Sequence, residues 1–340
     1  MALGSALISS ACNNSVNSSV PNIVANKKYK WKMVTTWPPN FPILGEGAVL
    51  YADWVRELSN GMMDIKVFGG GELVPPLEAF DAVTNGAVEM GSGCSYYWAG
   101  INPAFQFFAS IPFGMHSNEL DLWLLEGGGM DLWKEIYSRY NLVPFQAGNT
   151  GQQMGGWFNR EINEIQDFKG LKMRMPGLGG KVLERVGAST VLVPGGELYI
   201  SLERGVIDAT EWIGPFHDYI MGFHKIAKYY YSPGWHELGT GLELFANKRA
   251  FMNLPDELKQ ILKEASTKLH QWVTNSFTEK NEIYRLKMVE ENVDFREFTQ
   301  EVLDTLEENT REVIKEITAK HEDSNRIYQH YRDFQIKLKG

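Results

Sequence analysis

The chain has 340 residues, of which 44% are hydrophobic, and its 42 acidic and 33 basic residues give a formal net charge of −9 at pH 7. This acidic balance argues against a nucleic-acid partner, because proteins that bind nucleic acids carry a basic surface. The length favours two domains or lobes, and no apolar run approaches the ~18 residues of a membrane-spanning helix.

The first feature along the chain is a candidate export signal. Residues 6–12 form an apolar run that closes on small residues and Cys12, and a polar tract follows at 13–19. This order resembles the end of a bacterial lipoprotein signal, in which the cysteine is lipidated. No basic segment precedes it, and the run is shorter than the ~7–15 residues usual in a signal. We expect residues 1–26 to be a signal remnant and tether, with Cys12 as the candidate lipidation site.

Strands and helices then alternate. Residues 29–34 and 63–68 have the pattern of strands, and residues 48–58 between them have helix spacing. This alternation predicts an α/β fold built on largely parallel sheets.

One sequence pattern occurs twice. Residues 70–98 and 194–215 both run Gly-Gly-Glu-Leu, helix pattern, glycine, apolar pair, acid and aromatic-rich loop. Two copies of one unit predict two similar lobes that face each other. The alternative is chance, because Gly-Gly-Glu is a common turn and two copies are weak evidence for a repeat.

The second copy carries the central acidic residue. A short helix at 198–202 is stopped by Gly205, and a buried strand at 206–210 brings Glu211 and Trp212 to its carboxyl end, where open α/β sheets bind ligands. A buried acid needs a partner. Glu211 should therefore contact a cation, an arginine or a metal.

Arg174 lies on a short strand between two methionines. Its planar guanidinium can bind a ligand carboxylate with two parallel hydrogen bonds. The alternative is an internal ion pair, for example with Glu211.

Three side chains could supply oxygen ligands from separate loops, namely Gln153, Glu211 and Glu237. Such oxygens suit hard cations such as Na⁺ or Ca²⁺. Spacing alone is a weak signal, and Glu237 could instead be a solvated loop acid. The seven histidines show no metal-ligand spacing, and His236 has no evident base or nucleophile beside it. These patterns indicate a binding cleft without catalytic machinery.

The helical segments carry two further expectations. A pattern at 120–136 is interrupted by three glycines, at 127–129, which should mark a break or a close contact. Residues 300–338 read as one long helix, and a helix of that length needs the flank of this chain or another subunit to lie along.

Several motifs taken together resemble a known family. The segments 149–158, 170–177 and 205–212 closely resemble the solute-binding subunits of TRAP (tripartite ATP-independent periplasmic) transporters. Residues 95–98 and 229–237 are similar to the branch that binds 2-oxo or 2-hydroxy monocarboxylates with a metal ion. The resemblance runs from residue 29 to the end of the chain.

The resemblance implies a two-lobed, periplasmic-binding-protein-like fold of type II-like arrangement, with a hinge and a long C-terminal helix. Lobe I would comprise residues 27–145 and about 215–250, and lobe II residues 146–214 and about 251–299. Residues 300–340 would form the last helix, which the subunits of a homodimer can exchange.

It also implies residue roles. Arg174 would bind the substrate carboxylate. The cation, Na⁺ or Ca²⁺, would be held by Gln153, Glu211, the Trp212 carbonyl and Glu237, although relatives can carry Asp at the position of Glu211. The cleft would be lined by Tyr96, Tyr97, Asn149, Trp212 and Trp235.

The expected function is a periplasmic receptor that delivers pyruvate, lactate or a related acid to a sodium-coupled TRAP permease. Two alternatives are a metal-dependent enzyme acting on a 2-oxo acid and an exported sensory receptor of the same fold.

Overall fold

The computed structural model describes residues 27–339, so the predicted tether and Cys12 lie outside the described residues. Its strands are β1 (Tyr29–Thr35), β2 (Met63–Phe68), β3 (Met90–Gly93), β4 (Leu142–Asn149), β5 (Gly156–Phe158), β6 (Lys172–Arg174), β7 (Ser189–Val191), β8 (Ala209–Thr210), β9 (Tyr229–Ser232), β10 (Gly241–Asn247) and β11 (Asp294–Glu297). They form a first sheet in the order β2-β1-β3-β10-β4 and a second sheet in the order β11-β9-β5-β8-β6-β7. Both sheets mix parallel and antiparallel pairs, and this mixed α/β architecture confirms the predicted fold class.

Helices cover these sheets. They are α1 (Leu44–Leu58), α2 (Ala79–Thr84), α3 (Ser117–Leu125), α4 (Gly129–Ser138), α5 (Gly177–Arg185), α6 (Leu198–Glu203), α7 (Pro215–Met221), α8 (Lys248–Met252), α9 (Asp256–Glu290), α10 (Gln300–Lys320) and α11 (Glu322–Leu338). The 35-residue α9 is the longest of them and packs against α1, β4 and α7. Within residues 27–339, no helix is at once long and apolar enough to cross a bilayer.

The repeated sequence pattern occupies equivalent places in the two sheets. In the first sheet β1 lies between β2 and β3, and in the second β6 lies between β7 and β8, with all four pairings parallel. Each unit therefore has a central strand followed by a helix, an outer strand, a second helix and a third strand. The structure supports two copies of one unit.

The acidic residue of each copy makes the same contact. The Glu89 carboxylate accepts a hydrogen bond of 2.8 Å from the backbone N–H of Lys32, and that of Asp208 accepts one of 2.9 Å from Lys172 N–H. Both acids precede the third strand of their unit and hold the central strand beside it. The shared acid in the sequence pattern thus has a structural explanation.

The strand before Glu211 is shorter than expected. It spans only Ala209–Thr210, not 206–210. The reason is that Val206 and Ile207 donate their backbone N–H groups to the Ser201 carbonyl, which ties them to the end of α6. Val206 is accordingly 63% exposed. Glu211 still follows the carboxyl end of β8.

The three-glycine segment separates α3 from α4, as predicted. Gly128 has a φ of 90°, a left-handed conformation that favours glycine. At Gly127 a Cβ atom would lie 2.6 Å from the Phe334 ring of α11. The segment is therefore both a break and a close contact.

The prediction of one long C-terminal helix is wrong. The helix breaks at His321, whose backbone is extended with φ −132° and ψ 111°. Helix α10 packs against α5, whereas α11 packs against α3 and α4. Because Val302 and Leu306 of α10 are fully buried within this one chain, no second subunit is needed to cover them.

The chain passes between the sheets more than once. Residues 150–155 lead from β4 in the first sheet to β5 in the second, and residues 233–240 lead from β9 back to β10. We call these two segments the crossing segments. Strand β9 thus belongs to the second sheet, although it falls in the range 215–250 expected for lobe I. The lobe boundaries themselves remain a prediction.

Candidate functional site

The candidate site lies where the two crossing segments meet. The backbone N–H of Gln153 donates to the Glu237 carbonyl at 3.0 Å, and that of Gly234 donates to the Gln153 carbonyl at 3.1 Å. Gly234 is necessary for this approach, because a Cβ atom there would lie 2.2 Å from the Gln153 carbonyl oxygen. The segments therefore bring Gln153 next to Glu237.

Arg174 and Glu211 pair with each other. Arg174 ends β6, Glu211 follows the adjacent β8, and both side chains are 1% exposed. The Nη1 atom of Arg174 donates to Oε1 of Glu211, and Nε donates to the Val193 carbonyl at 3.4 Å. The guanidinium also lies 5.1 Å from the centre of the Trp212 ring. The internal ion pair that the sequence left open is present.

Charge balance at Arg174 depends on this pairing. Burial is the largest single influence and disfavours its charged form, but the surrounding groups, led by the Glu211 carboxylate, together outweigh burial and hold the pKa of Arg174 above its usual range. Arg174 is therefore a permanent cation within a buried site. A buried ion pair is costly to disrupt by removing one partner only.

Glu237 is buried at 3% exposure and is not a solvated loop acid. Its Oε2 atom accepts from Nε2 of Gln153 at 2.6 Å and from the Thr240 hydroxyl. Burial raises the pKa of Glu237 to about 7, opposed by His236 and reinforced by the Glu211 carboxylate. The Glu211 carboxylate thus disfavours the charged form of Glu237.

Three ligand-type side chains converge, namely Glu211, His236 and Glu237. One potential ligand atom from each lies within 4.8 Å of the others. Among residues 27–339, Oε2 of Glu211 and Oε1 of Gln153 are buried without hydrogen-bond partners. Unpartnered buried oxygens are costly, and a hard cation would satisfy them. These residues therefore fit an oxygen-bound Na⁺ or Ca²⁺.

His236 is the member of this cluster that sequence reasoning missed. Its Nε2 atom lies 3.5 Å from Oε2 of Glu211, and neither ring nitrogen has a hydrogen-bond partner among the described residues. The two residues are far apart in the sequence, so spacing gives no signal for the contact. Adjacency to Glu237 is the one clue that the sequence offers.

Aromatic side chains surround the site. Tyr96 is 8% exposed, and its ring centre lies 4.9 Å from that of Tyr97. Burial raises the pKa of both phenols, so both remain neutral donors. Trp235 is 2% exposed and stacks on Phe113 with ring centres 5.7 Å apart.

Asn149 is also buried, but its amide is occupied. Its Nδ2 atom donates to Oδ1 of Asp121 at 3.2 Å, and its Oδ1 atom accepts from the Gly151 N–H at 3.1 Å. These bonds hold the start of the first crossing segment. A direct role of Asn149 in the cleft remains a prediction.

The site is in a closed arrangement. Trp212, which follows β8, packs edge-to-face against Trp37 and Phe41 of the first-sheet region, with ring centres 6.5 and 6.2 Å apart. Because Arg174, Glu211 and Glu237 are almost fully buried, a solute can reach them only after surrounding residues move.

Comparison with known proteins adds a family and several relatives. Residues 33–321 match the family described as bacterial extracellular solute-binding protein, family 7. The chain is 38% identical over 337 residues to a monocarboxylate 2-oxoacid-binding periplasmic protein of Nostoc sp., covering 98% of this chain and 90% of the relative.

Three solved structures are also similar. A TRAP periplasmic solute-binding protein from Colwellia psychrerythraea, with bound calcium and pyruvate, has a TM-score of 0.89 and 41% identity, covering 92% of this chain and 96% of that one. A TRAP periplasmic solute-binding protein from Pseudoalteromonas atlantica, with bound sodium and pyruvate, has a TM-score of 0.90 and 41% identity, covering 92% of this chain and 95% of that one. A TRAP solute-binding protein from Bordetella bronchiseptica is a mixed-occupancy dimer with calcium and picolinate. It has a TM-score of 0.90 and 34% identity, covering 93% of this chain and 94% of that one.

Proposed function

Since the chain belongs to the bacterial extracellular solute-binding protein family 7, we propose that it binds pyruvate or a related 2-oxo or 2-hydroxy monocarboxylate together with Na⁺ or Ca²⁺. The protein is an extracytoplasmic solute-binding receptor of the TRAP type. In the proposed role it passes the acid unchanged to a sodium-coupled membrane permease, so it needs no catalytic chemistry.

The observation that carries this proposal is the set of unpartnered oxygens beside Arg174. Within the described part of the chain, Oε2 of Glu211 and Oε1 of Gln153 are buried and have no hydrogen-bond partner, and Glu237 completes an oxygen-rich cluster. The similar structures hold pyruvate with calcium, pyruvate with sodium, and picolinate with calcium. Pyruvate has a keto oxygen next to its carboxylate, and picolinate has a ring nitrogen there. Each molecule can therefore bind one cation through two atoms.

The proposed roles follow from charge. Arg174 offers one positive charge against Glu211, Glu237 and the carboxylate of the substrate. A cation held by Gln153, Glu211, the Trp212 carbonyl and Glu237 would relieve this repulsion, which is the chemistry the metal supplies. Arg174 then binds the substrate carboxylate. The remaining walls of the cleft would be formed by Tyr96, Tyr97, Asn149, Trp212 and Trp235.

Attachment and assembly are parts of the same proposal. The resemblance of residues 6–19 to a lipoprotein signal supports lipidation of Cys12, which mass spectrometry of the N-terminal peptide of cell-expressed protein would test. The dimer of the Bordetella bronchiseptica relative supports a homodimer. Light scattering of full-length protein would test the dimer.

The decisive experiment measures coupling between cation and acid. Pyruvate is titrated into metal-stripped protein and into protein with saturating Na⁺ or Ca²⁺, with tryptophan fluorescence as the readout. We expect the cation to tighten pyruvate binding by about 5- to 150-fold, the range of a coupling free energy of ~1–3 kcal/mol. Equal affinity in both titrations would refute the proposed cation, and no pyruvate binding in either would refute the proposed substrate.

A variant pair links this coupling to the site. Glu211→Gln keeps an oxygen but removes one charge, so it should weaken cation binding and most of the coupling. Glu243→Gln is the matched control, because Glu243 is equally buried but is bonded to Trp98 and Tyr137 and lies outside the three-residue ligand cluster. Loss of coupling in both variants would show that the effect does not belong to the Glu211 site.

A further inference from the structure

The peptide bond between Trp212 and Ile213 carries one group of the proposed cation site. Its carbonyl is one of the proposed ligands, and its N–H belongs to Ile213. The bond is trans and planar, so the carbonyl and the N–H point in opposite directions. Whatever holds the N–H therefore also fixes the direction of the carbonyl.

The Ile213 N–H is held by Asp218. It donates to Oδ1 of Asp218 at 3.2 Å. Asp218 lies in the first turn of α7 and is 1% exposed. The next peptide group is held as well, because the Ile213 carbonyl accepts from the N–H of Met154, beside Gln153, at 3.1 Å. The backbone of Ile213 is thus fixed on both sides.

The other oxygen of Asp218 is anchored in the second sheet. Oδ2 accepts from Nε1 of Trp157 in β5 at 3.0 Å and from the hydroxyl of Tyr230 in β9 at 2.7 Å. Trp157 and Tyr230 are directly paired across these strands, and their rings stack with centres 4.0 Å apart. Asp218 therefore connects a stacked pair of the sheet with the peptide bond that follows Trp212.

The Trp212 carbonyl itself has no backbone partner. Within residues 27–339, no backbone N–H donates to it, although Trp212 is only 4% exposed. Buried carbonyl groups are nearly always paired, and hard cations take backbone carbonyl oxygens as ligands. An oxygen with a fixed direction and no backbone partner is suited to this role.

We propose that Asp218 is a positioning residue of the cation site, which holds the Ile213 N–H and thereby presents the Trp212 carbonyl to the cation. Asp218 acts through the peptide bond and is not itself a ligand. Because the carbonyl is oriented before the cation arrives, less ordering remains to be done on binding. This role rests on the proposed function, since it assumes a cation at the Arg174 site.

Two matched variants test the role, Asp218→Asn and Glu243→Gln. Glu243 is also fully buried and also accepts from a tryptophan, Trp98, and a tyrosine, Tyr137. In the described part of the chain, however, no backbone N–H donates to the Glu243 side chain. An amide accepts through its oxygen only, so Asn at position 218 accepts on one side and cannot hold the sheet and the peptide as the carboxylate does.

The probe is calcium, or sodium if the original chain binds no calcium. It is titrated into metal-stripped full-length protein with tryptophan fluorescence as the readout, at about pH 8.5, above the pKa of about 7 to which burial raises Asp218. We expect Asp218→Asn to weaken cation binding about 10- to 100-fold, the usual cost of losing an outer hydrogen bond of a metal site. Glu243→Gln should leave it unchanged.

The outcomes separate this role from the proposed function. Unchanged cation affinity in a folded Asp218→Asn variant would overturn the positioning role alone, and so would equal losses in Asp218→Asn and Glu243→Gln. If the original chain binds neither calcium nor sodium, both the proposed cation site and the role of Asp218 are refuted.

Hydrogen exchange gives an answer that needs no variant. If Asp218 holds the peptide before the cation binds, the Ile213 N–H is protected from exchange in metal-stripped protein. NMR of protein with isotope-labelled isoleucine measures this rate. Protection that arises only after the cation is added would show that the cation, and not Asp218, orders the peptide, which contradicts the proposal.

Discussion

In the closed site the guanidinium of Arg174 is hydrogen-bonded to the carboxylate of Glu211, and each side chain is 1% exposed. The same guanidinium lies over the ring of Trp212. A substrate carboxylate that binds Arg174 must therefore share this group with Glu211 or replace it. If Glu211 turns instead toward the cation, binding of the two ligands becomes interdependent.

Arg174→Lys tests the carboxylate-binding role. Lysine keeps the charge but loses the planar pair of donors, so pyruvate affinity should fall about 10- to 150-fold, the value of one charge-assisted hydrogen bond. Calorimetry provides the measurement, with circular dichroism to establish folding. Arg185→Lys, whose partner Glu316 lies on the surface, is the control. Unchanged affinity in a folded Arg174→Lys protein would remove Arg174 from the proposed site.

Two adjacent glycines give a second test. A Cβ atom at Gly195 would lie 2.5 Å from the Trp212 ring, whereas one at Gly196 would have its nearest neighbour at 3.8 Å. Gly195→Ala should displace Trp212 and weaken pyruvate binding at least about tenfold, because small misplacements at a binding site are costly. Gly196→Ala should bind normally. If the two variants have equal affinity, Trp212 is not part of the ligand contact.

Glu243 predicts a pH dependence of stability. Burial raises its pKa to about 8, despite hydrogen bonds from Trp98 and Tyr137 that act in the opposite direction. The ordinary pKa of a glutamate side chain, as in the unfolded chain, is about 4.5, so the folded state binds the proton more tightly. The stability from this group is fully present below about pH 4.5 and is lost as the pH rises through about 8.

The corresponding variant is Glu243→Gln. Its amide has nearly the shape of the carboxyl group and keeps an oxygen that can accept from Trp98, but it does not titrate. Urea unfolding at pH 5 and pH 8.5 should therefore show a smaller decline in stability for the variant than for the original chain. Each pH unit between 5 and 8.5 changes the difference in the free energy of unfolding between the two proteins by at most about 1.4 kcal/mol. Parallel declines in the two proteins would mean that Glu243 is ionised when folded.

The packing of α11 is tested by a matched pair of isoleucines. Ile327 is fully buried, whereas Ile336 on the same helix is 60% exposed. Ile327→Ala should lower the free energy of unfolding by about 2–5 kcal/mol, and Ile336→Ala by about 0.5 kcal/mol or less. Urea denaturation distinguishes them. A small effect at Ile327 would show that α11 is not packed as described.

Local signals explain what the sequence predicted well. Gly205 has a φ of 67° at the end of α6, the conformation a helix-stopping glycine adopts. Glu211 follows strand β8, and in both copies of the repeat an apolar pair and an acid precede the third strand of the unit. These features depend on neighbours in the chain, and so the sequence displays them directly.

Features that depend on tertiary contacts were less accessible. The approach of His236 to Glu211 arises only when a crossing segment meets the end of β8. No glycine or proline marks the break at His321 in the sequence. The break occurs because α10 and α11 pack on different parts of the molecule. Glu322 and Asp323 at the start of α11 are acidic, as the first turn of a helix prefers. That signal could have located the break.

The crossing segments have a kinetic consequence. Gln153 and Glu237, which would hold the cation, lie on the segments that join the two sheets, and backbone hydrogen bonds already tie these segments together. Separation of the sheets to release a solute must alter these same segments. A bound cation would therefore slow escape of the solute far more than it changes the rate of capture, as is usual when affinity is set by dissociation. The lifetime of the loaded receptor, and so the time it has to meet a permease, would be set by cation occupancy.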